Sequence, residues 1–278
     1  MIREWVQLTT LPMQPSLDFW KITGALMLSR DVTQSGPVSI LVVHGALGSA
    51  EQMEPVAAEL SDLGSVTNVD LPGHGSSPLG PEQSFSIDGF ADALQDALME
   101  SLPTSDATAG AHSTRPWVFG YSMGGYIALA LEARNPGRFS GIVTLGTKFD
   151  WTPEVAASAA GFLVPETIRE KVPKFAAALA ARHADAGGWE VMLQRTAALL
   201  RELGEAPLLT TAALQRVTIP VCIAAGTRDD NVSPAEGARI AATLPNAFHE
   251  SLLDVLHPIE RVPAGVIRSL MRRVMNMP

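Results

Sequence analysis

The chain has 278 residues, 46% of them hydrophobic and 18% charged, with 29 acidic side chains against 20 basic ones for a net charge of −9. That length gives one or two domains with a core large enough to stand without cross-links; the apolar and charged fractions exclude a disordered or low-complexity chain, and the single cysteine, Cys222, excludes an internal disulfide or a cysteine-rich metal cage. The acidic balance argues against nucleic acid and an anionic membrane surface as partners; with no signal-like apolar stretch at the N-terminus and no run of about 18 apolar residues, the expectation is a soluble, cytoplasmic globular protein.

In chain order, Phe19–Ser29 is a candidate antiparallel edge hairpin. Val38–Val43 is a continuous run of β-branched residues and leucine, the kind buried on both faces of a parallel sheet. Glu51–Leu63 carries Met53, Val56, Ala57 and Leu60 at helical spacing and stops at Gly64. Ser65–Asp70 is the next strand, and the turn-rich LPGHGSSP follows it. Ser86–Leu102 is a helix with Ile87, Phe90, Leu94 and Leu98 on one side, and Thr104–Arg115, small, polar and aperiodic, is a surface loop. Trp117–Tyr121 and Phe139–Leu145 are strands on either side of a helix over Met123–Arg134. Towards the C-terminus, Ile219–Ala225 and Phe248–Leu253 are strands, and Pro234–Leu244 and Ile259–Met275 are helices. This alternation implies an α/β protein with a mostly parallel sheet flanked by helices.

One interval breaks the rhythm. Nothing between Leu145 and Ile219 resembles a strand, although a crossover to a neighbouring parallel strand needs only about a dozen residues. The interval instead carries helical patterns over Glu166–Lys171, Pro173–Arg182 and Gly188–Leu203. The expected organisation is a core of residues 1–146 and 215–278 with a helical lid, residues 147–214, over one edge of the sheet.

The sharpest local signal is Gly120-Tyr121-Ser122-Met123-Gly124-Gly125, a G-x-S-x-G spacing set between a strand and a helix. A turn that sharp leaves no room for side chains at Gly120 and Gly124, and it holds the serine in a strained conformation with its oxygen exposed above the sheet. The helix start behind it offers N–H groups and a positive dipole end where negative charge would develop. A nucleophilic serine needs a base, and the base needs an orienting acid. His257, in LLDVLHPIE, lies between the last strand and the last helix; His112, in the polar loop, and His183, in the insertion, are expected to be solvated, and His249 opens a strand. For the acid, GTRDDNV places Asp229 and Asp230 at the C-terminal end of a strand, where open α/β sheets put their working residues. Asp229 is the first choice, Asp230 the second, with Asp150 and Asp70 behind them. His44-Gly45-Ala46-Leu47-Gly48 follows the first core strand and can aim a backbone N–H at an acyl oxygen, partnered by the N–H of Met123.

VVHGALGS, DLPGHGSS, GYSMGGYIAL, GTRDDNVSP and LHPIE, in that order, resemble the α/β-hydrolase superfamily over residues 36–146 and 215–275. The resemblance is to the branch holding single-domain esterases, lactonases, carbon–carbon bond hydrolases and the menaquinone-pathway lyase. It implies the α/β-hydrolase fold, with Ser122 as nucleophile, His257 as base, Asp229 as acid, and oxyanion N–H groups from Ala46 and Met123. That superfamily's Gly-x-x-Asp-x-x-Val pattern selects Asp229 over Asp230. Pro258 after His257, and Leu256 before it where many relatives carry glycine, depart from the pattern. Haloalkane dehalogenases and epoxide hydrolases of this fold carry aspartate at the elbow, so Ser122 speaks against both.

No cofactor or metal is expected: the histidines are scattered, Cys222 sits in an apolar strand as a structural thiol, and HGALGS lacks a dinucleotide fingerprint. Phe149, Trp151, Phe162, Leu163, Phe175, Trp189 and Met192 concentrate in the insertion, mainly to dock it, and would give a site beneath it apolar walls. Lys148 and Lys174 could meet a carboxylate, but as lone lysines they are read as solvated. The function expected is a serine hydrolase for a small, mostly apolar acyl substrate, either ester, thioester, lactone or carbon–carbon bonded. A lyase using the same triad for proton abstraction, and a ligand receptor built on the same fold, are the alternatives.

Overall fold

The computed structural model describes residues 38–101 and 115–277. The hairpin read into Phe19–Ser29, His112, and all of the Thr104–Arg115 loop except its last residue lie outside the described residues. Among the described residues six strands, β1 (Ser39–Val43), β2 (Ser65–Val69), β3 (Trp117–Tyr121), β4 (Gly141–Leu145), β5 (Val221–Gly226) and β6 (Ala247–Leu252), form one sheet in the order β2-β1-β3-β4-β5-β6. Every pairing in it is parallel.

The strands are apolar on both faces because helices cover both. In β1, Ile40 and Val42 point into one apolar cluster and Leu41 and Val43 into the other, as the two-residue period of a strand demands. The Ile40 face packs against α1 (Ala50–Leu60) and α10 (Ala264–Met275) through Met53, Val56, Leu60, Ile267, Leu270 and Met271. The Leu41 face is covered by α2 (Ile87–Ser101), α3 (Met123–Arg134) and α9 (Pro234–Thr243). Helix α3 is buried from Gly124 to Ala133, which explains why its sequence, MGGYIALALEAR, is apolar all round. Cys222 is fully buried in β5, and burial pushes its thiol up to about 12.

Between the adjacent strands β4 and β5 the chain forms α4 (Pro153–Gly161), α5 (Pro165–Lys171), α6 (Pro173–Arg182), a short 3-10 turn (Ala184–Ala186), α7 (Trp189–Glu205) and the single turn α8 (Thr211–Leu214). The expectation of helices in this interval named α5, α6 and α7 but not α4, whose PEVAASAAG buries only Ala156 and Ala160 and so shows almost no contrast between its faces. The helix expected over Ile259–Met275 is two pieces, a 3-10 turn at Ile259–Arg261 and then α10. Pro263 is the reason: it has no N–H to give an α-helix and its ring would meet the carbonyl of residue 259. The strand expected from Phe139 starts at Gly141. Among the described residues no helix is long and apolar enough to cross a membrane.

Phe119 in the centre of β3 is fully buried. Phe119→Ala is expected to cost about 3–5 kcal/mol, read as a lower midpoint in urea denaturation with an unchanged slope.

Candidate active site

The strand order reverses between β1 and β3: β2 lies outside β1 while β4, β5 and β6 extend the other way. At such a switch point the turns leaving the two central strands diverge and open a crevice beyond the sheet's C-terminal edge. The His44-Gly45 turn after β1 and Ser122 after β3 therefore meet there. Ser122 is the hinge between β3 and α3, with φ +51° and ψ −116°, and its N–H donates to the Leu145 carbonyl (2.8 Å) across the sheet edge. A non-glycine residue at positive φ is costly and persists only where its surroundings impose it. The imposition is visible in its neighbours. A Cβ on Gly120 would lie 2.5 Å from Cα of Gly125, and one on Gly124 would run into the carbonyl oxygens of Val43 and His44. These two glycines let α3 start directly against the β1 turn, so the serine has no relaxed alternative.

His257 and Asp229 reach this crevice from the loops after β6 and β5. Asp229 Oδ2 meets His257 Nδ1 at 2.8 Å, and Asp229 Oδ1 accepts from the N–H groups of Asn231 (2.8 Å) and Val232 (3.0 Å). The Asp229 side chain is 2% exposed. A carboxylate taking two backbone N–H bonds acts as acceptor, so the proton of the neutral imidazole sits on Nδ1 and Nε2 is left with its lone pair free. Asp230 is exposed, Asp150 pairs with Arg239, and Asp70 accepts from the N–H groups of Ala50 (2.7 Å) and Ser76 (3.0 Å). Of the four carboxylates considered from sequence, only Asp229 meets the imidazole. The hydroxyl of Tyr121, one residue before the serine, donates to the His257 carbonyl at 2.8 Å, and burial holds that phenol well above its ordinary pKa, so it remains a donor. The elbow motif names Tyr121 only as a variable position, and its hold on a residue 136 positions away was not readable from sequence.

Ser122 and His257 line a single cavity of about 530 Å³ between the sheet's C-terminal edge and the α4–α8 segment. No direct hydrogen bond links Ser122 to His257 among the described residues; such contacts often lengthen without substrate and tighten in the Michaelis complex. Ala46 and Met123 also line the cavity. Met123 is the first residue of α3, so its N–H has no acceptor within the helix. Trp151, Phe162, Leu163 and Phe175 form part of the apolar wall, whereas Phe149, Trp189 and Met192 are buried in the packing that seats the segment. Lys174 is exposed away from the cavity, and Lys148, which lines it, pairs with Glu236 at 3.4 Å. Buried Glu236 also accepts from the N–H groups of Phe149 (2.6 Å) and Asp150 (2.8 Å), fastening the chain where it leaves the core. The sequence signal for Glu236 is its place three residues after Ser233, the spacing of a capping box, but its carboxylate reaches across to another loop.

His183 is not solvated as expected. It is fully buried at the end of α6, beside His74 (ring centroids 5.8 Å apart), which in turn lies 5.1 Å from His44. Its Nδ1 accepts from the Gly75 N–H at 3.0 Å, so Nε2 carries the proton and donates to the Leu47 carbonyl at 3.1 Å. His44 has the opposite tautomer: Nε2 accepts from the Leu71 N–H (3.0 Å) and Nδ1 donates to the Gly45 carbonyl (2.7 Å). Burial depresses all three imidazoles, His74 well below its ordinary value and His183 to about 4, with Arg182 and His44 adding repulsion at His183. Short polar neighbours in sequence gave no sign of this cluster, because its members are joined only by the fold.

A family profile described as serine aminopeptidase, S33, matches residues 37–254. Over 113 residues the chain is 30% identical to the 2-succinyl-6-hydroxy-2,4-cyclohexadiene-1-carboxylate synthase of Salmonella typhimurium, covering 41% of this chain and 40% of that enzyme. The chain's matches to its first curated relatives span between 7% and 40% of their length. Among solved structures, an esterase from Thermogutta terrifontis superposes with a TM-score of 0.66 at 23% identity, covering 90% of this chain and 94% of the esterase. A haloalkane dehalogenase from Bradyrhizobium elkani superposes with a TM-score of 0.67 at 21% identity, covering 88% and 92%. These superpositions establish the α/β-hydrolase fold; the chemistry has to be read from the site.

Two measurements follow from this geometry. Gly124→Ala is expected to destabilise the protein by about 3 kcal/mol, since the new methyl faces backbone carbonyls that have nowhere to move. His183 keeps a lower pKa folded than unfolded, so its contribution to stability is complete above pH 6.5 and is lost as pH falls towards 4. The melting temperature of the wild type should drop through that window, by the equivalent of roughly 3 kcal/mol for this group, and His183→Gln should flatten the drop.

Proposed function

The chain belongs to the serine aminopeptidase S33 family of α/β hydrolases, and on that premise we propose that it is a serine hydrolase with Ser122, His257 and Asp229 as its catalytic triad, acting on a small, mostly apolar acyl substrate. The observation that carries this reading is the Asp229–His257 bond, which leaves Nε2 as the basic nitrogen in the same cavity as a serine on a strained turn. His257 Nε2 takes the proton of Ser122 Oγ as that oxygen attacks the carbonyl carbon, and the imidazolium is steadied by Asp229. The N–H groups of Ala46 and Met123 receive the negative charge on the acyl oxygen, each contributing about 3–4 kcal/mol in the transition state. The imidazolium then returns its proton to the leaving group as the scissile bond breaks. Water, deprotonated by the same nitrogen, attacks the acyl-enzyme, and collapse of the second tetrahedral adduct restores Ser122. The chain's own groups handle every proton and electron pair. Residues 147–214 serve as the lid that excludes solvent while this proceeds, and the substrate preference follows from the walls supplied by Trp151, Phe162, Leu163 and Phe175.

A second reading is favoured by one feature. The Arg182 guanidinium lines the cavity, is largely buried, and forms no ion pair among the described residues. A fixed cation in an apolar site suits a substrate that carries a carboxylate, and the Salmonella relative's name describes such a molecule as its product. In that case His257 would remove a proton from a substrate carbon, with no acyl-enzyme formed.

A fluorophosphonate is expected to label wild-type protein stoichiometrically and to leave Ser122→Ala unlabelled; equal labelling of both would overturn the assignment. Against a panel of acyl esters, Asp229→Asn should lose roughly ten-thousand-fold in kcat, whereas Asp230→Asn should stay within about threefold of wild type. Turnover in heavy-oxygen water separates the two readings: hydrolysis must place solvent oxygen in the acid product, and elimination does not.

A further inference from the structure

Leu47 follows Ala46 directly and stands at φ +62°, the left-handed region that a leucine rarely adopts. Its turn is closed on one side by its own backbone, Gly48 N–H to the Gly45 carbonyl at 3.1 Å. On the other side the Leu47 carbonyl is held by two donors from the end of α6: Arg182 Nη1 at 2.9 Å and His183 Nε2 at 3.1 Å. A carbonyl oxygen has two lone pairs, and both are taken. His183 is itself oriented by a third element, because its Nδ1 accepts from Gly75 in the loop after β2. One imidazole therefore ties the α4–α8 segment to the turn that carries Ala46 and to the loop beside it. The bond pattern admits a single protonation state. A proton on Nδ1 would face the Gly75 N–H donor, and a proton missing from Nε2 would leave the Leu47 carbonyl with Arg182 alone.

From this geometry we infer that His183 is a positioning residue for the oxyanion turn: by holding the Leu47 carbonyl it fixes the aim of the Ala46 N–H, so that the transition state is stabilised only while the end of α6 is docked on the core. This inference rests on the proposed roles of Ser122 and Ala46. It gives the helical segment a part in the chemical step beyond enclosing the substrate. Undocking α6 would take away both donors at once and let the strained Leu47 relax, turning the adjacent N–H away from the acyl oxygen. Arg182 acts on the same carbonyl as the second donor, and its side chain also lines the cavity.

The test uses an alkyl fluorophosphonate on the full chain, which needs no knowledge of the natural substrate. Ser122 Oγ forms the bond to phosphorus, the P–F bond breaks, fluoride departs, and the serine proton passes to His257 Nε2; the charge developing on the phosphoryl oxygen is received as in acyl transfer. The maximal inactivation rate and the half-saturating probe concentration are measured at pH 7.5 for wild type, His183→Leu, His183→Gln and Arg182→Met. His183→Leu, which fills the space without a donor, should lower the maximal rate about tenfold with half-saturation unchanged. His183→Gln, whose amide reaches the same carbonyl, should recover most of the rate. Arg182→Met should lower it several-fold. A His183→Leu rate within twofold of wild type overturns the inference, as does a change confined to half-saturation. If His183→Leu does not fold, Arg182→Met decides, and an unchanged maximal rate there overturns it. A wild type that takes no label at Ser122 removes the catalytic reading and this inference together, whereas a labelled wild type matched by labelled variants removes this inference alone.

Discussion

The site depends on a contact between two stretches of backbone. Helix α3 begins so close to the end of β1 that position 124 tolerates no side chain against the carbonyls of Val43 and His44. This proximity is a consequence of parallel topology: β1 and β3 are neighbours, and the chain leaves them towards opposite faces of the sheet. Once the two turns are pressed together, several properties follow without further design. Ser122 is forced to positive φ, Met123 at the start of α3 lines the same cavity as Ala46 in the turn after β1, and the crevice at the switch point becomes the floor of that cavity. The strain at Ser122 is offset by the buried sheet and by α3, which is buried from Gly124 to Ala133, so the elbow is held by the tightly packed core.

Around that floor the remaining groups are positioned by hydrogen bonds whose polarity leaves no choice. Asp229 is fixed by two backbone amides at Oδ1 and presents Oδ2 to His257 Nδ1. Tyr121 is kept neutral by burial and anchors the His257 backbone. His44 and His183 each sit between one backbone donor and one backbone acceptor, and desolvation keeps both uncharged. A buried imidazole in this setting works as a rigid two-ended connector, whereas a lysine or arginine offers only donors. Three histidines within ring contact would repel one another if charged, which ties the integrity of the joint to their neutrality.

What was legible in the sequence follows from where each constraint lives. The elbow is local: its two glycines and its serine all lie within five residues, so the sheet, the strand ends and the helix start at Met123 could be read directly. Continuous apolar runs such as SILVV and VCIAAG likewise report burial on both faces. The pairing of His257 with Asp229 was reachable because both residues lie in loops just past strand ends, and the C-terminal ends of strands converge in a parallel sheet. The contacts of His183, Tyr121 and Glu236 were not reachable, since their partners lie 108, 136 and 87 residues away, and the one local signal, the capping-box spacing of Glu236, points to its own helix instead. Helix α4 was missed for another reason: an alanine-rich segment has little hydrophobic contrast for a periodicity to show. The break before α10 was overruled by a strong apolar stripe that continues past Pro263, although a proline there cannot lie in an uninterrupted helix.

These unread contacts share a property that bears on how the site works. Glu236 fastens the entry to the helical segment, receiving the N–H groups of Phe149 and Asp150, and His183 with Arg182 fastens its far side to the turn at Leu47. The two attachments differ in kind. At Glu236 a buried carboxyl group gathers donors from the connecting loop itself, so the loop cannot leave without stripping that buried group of its partners. At Leu47 the bonds run between neutral or singly charged side chains and one carbonyl, and water could replace them at modest cost. Any opening of the segment should therefore pivot near Lys148–Asp150 and part at Leu47, next to Ala46. Motion of the segment and the aim of the turn we propose as the oxyanion turn would then be one event rather than two, because the joint that yields first is the one that touches the turn.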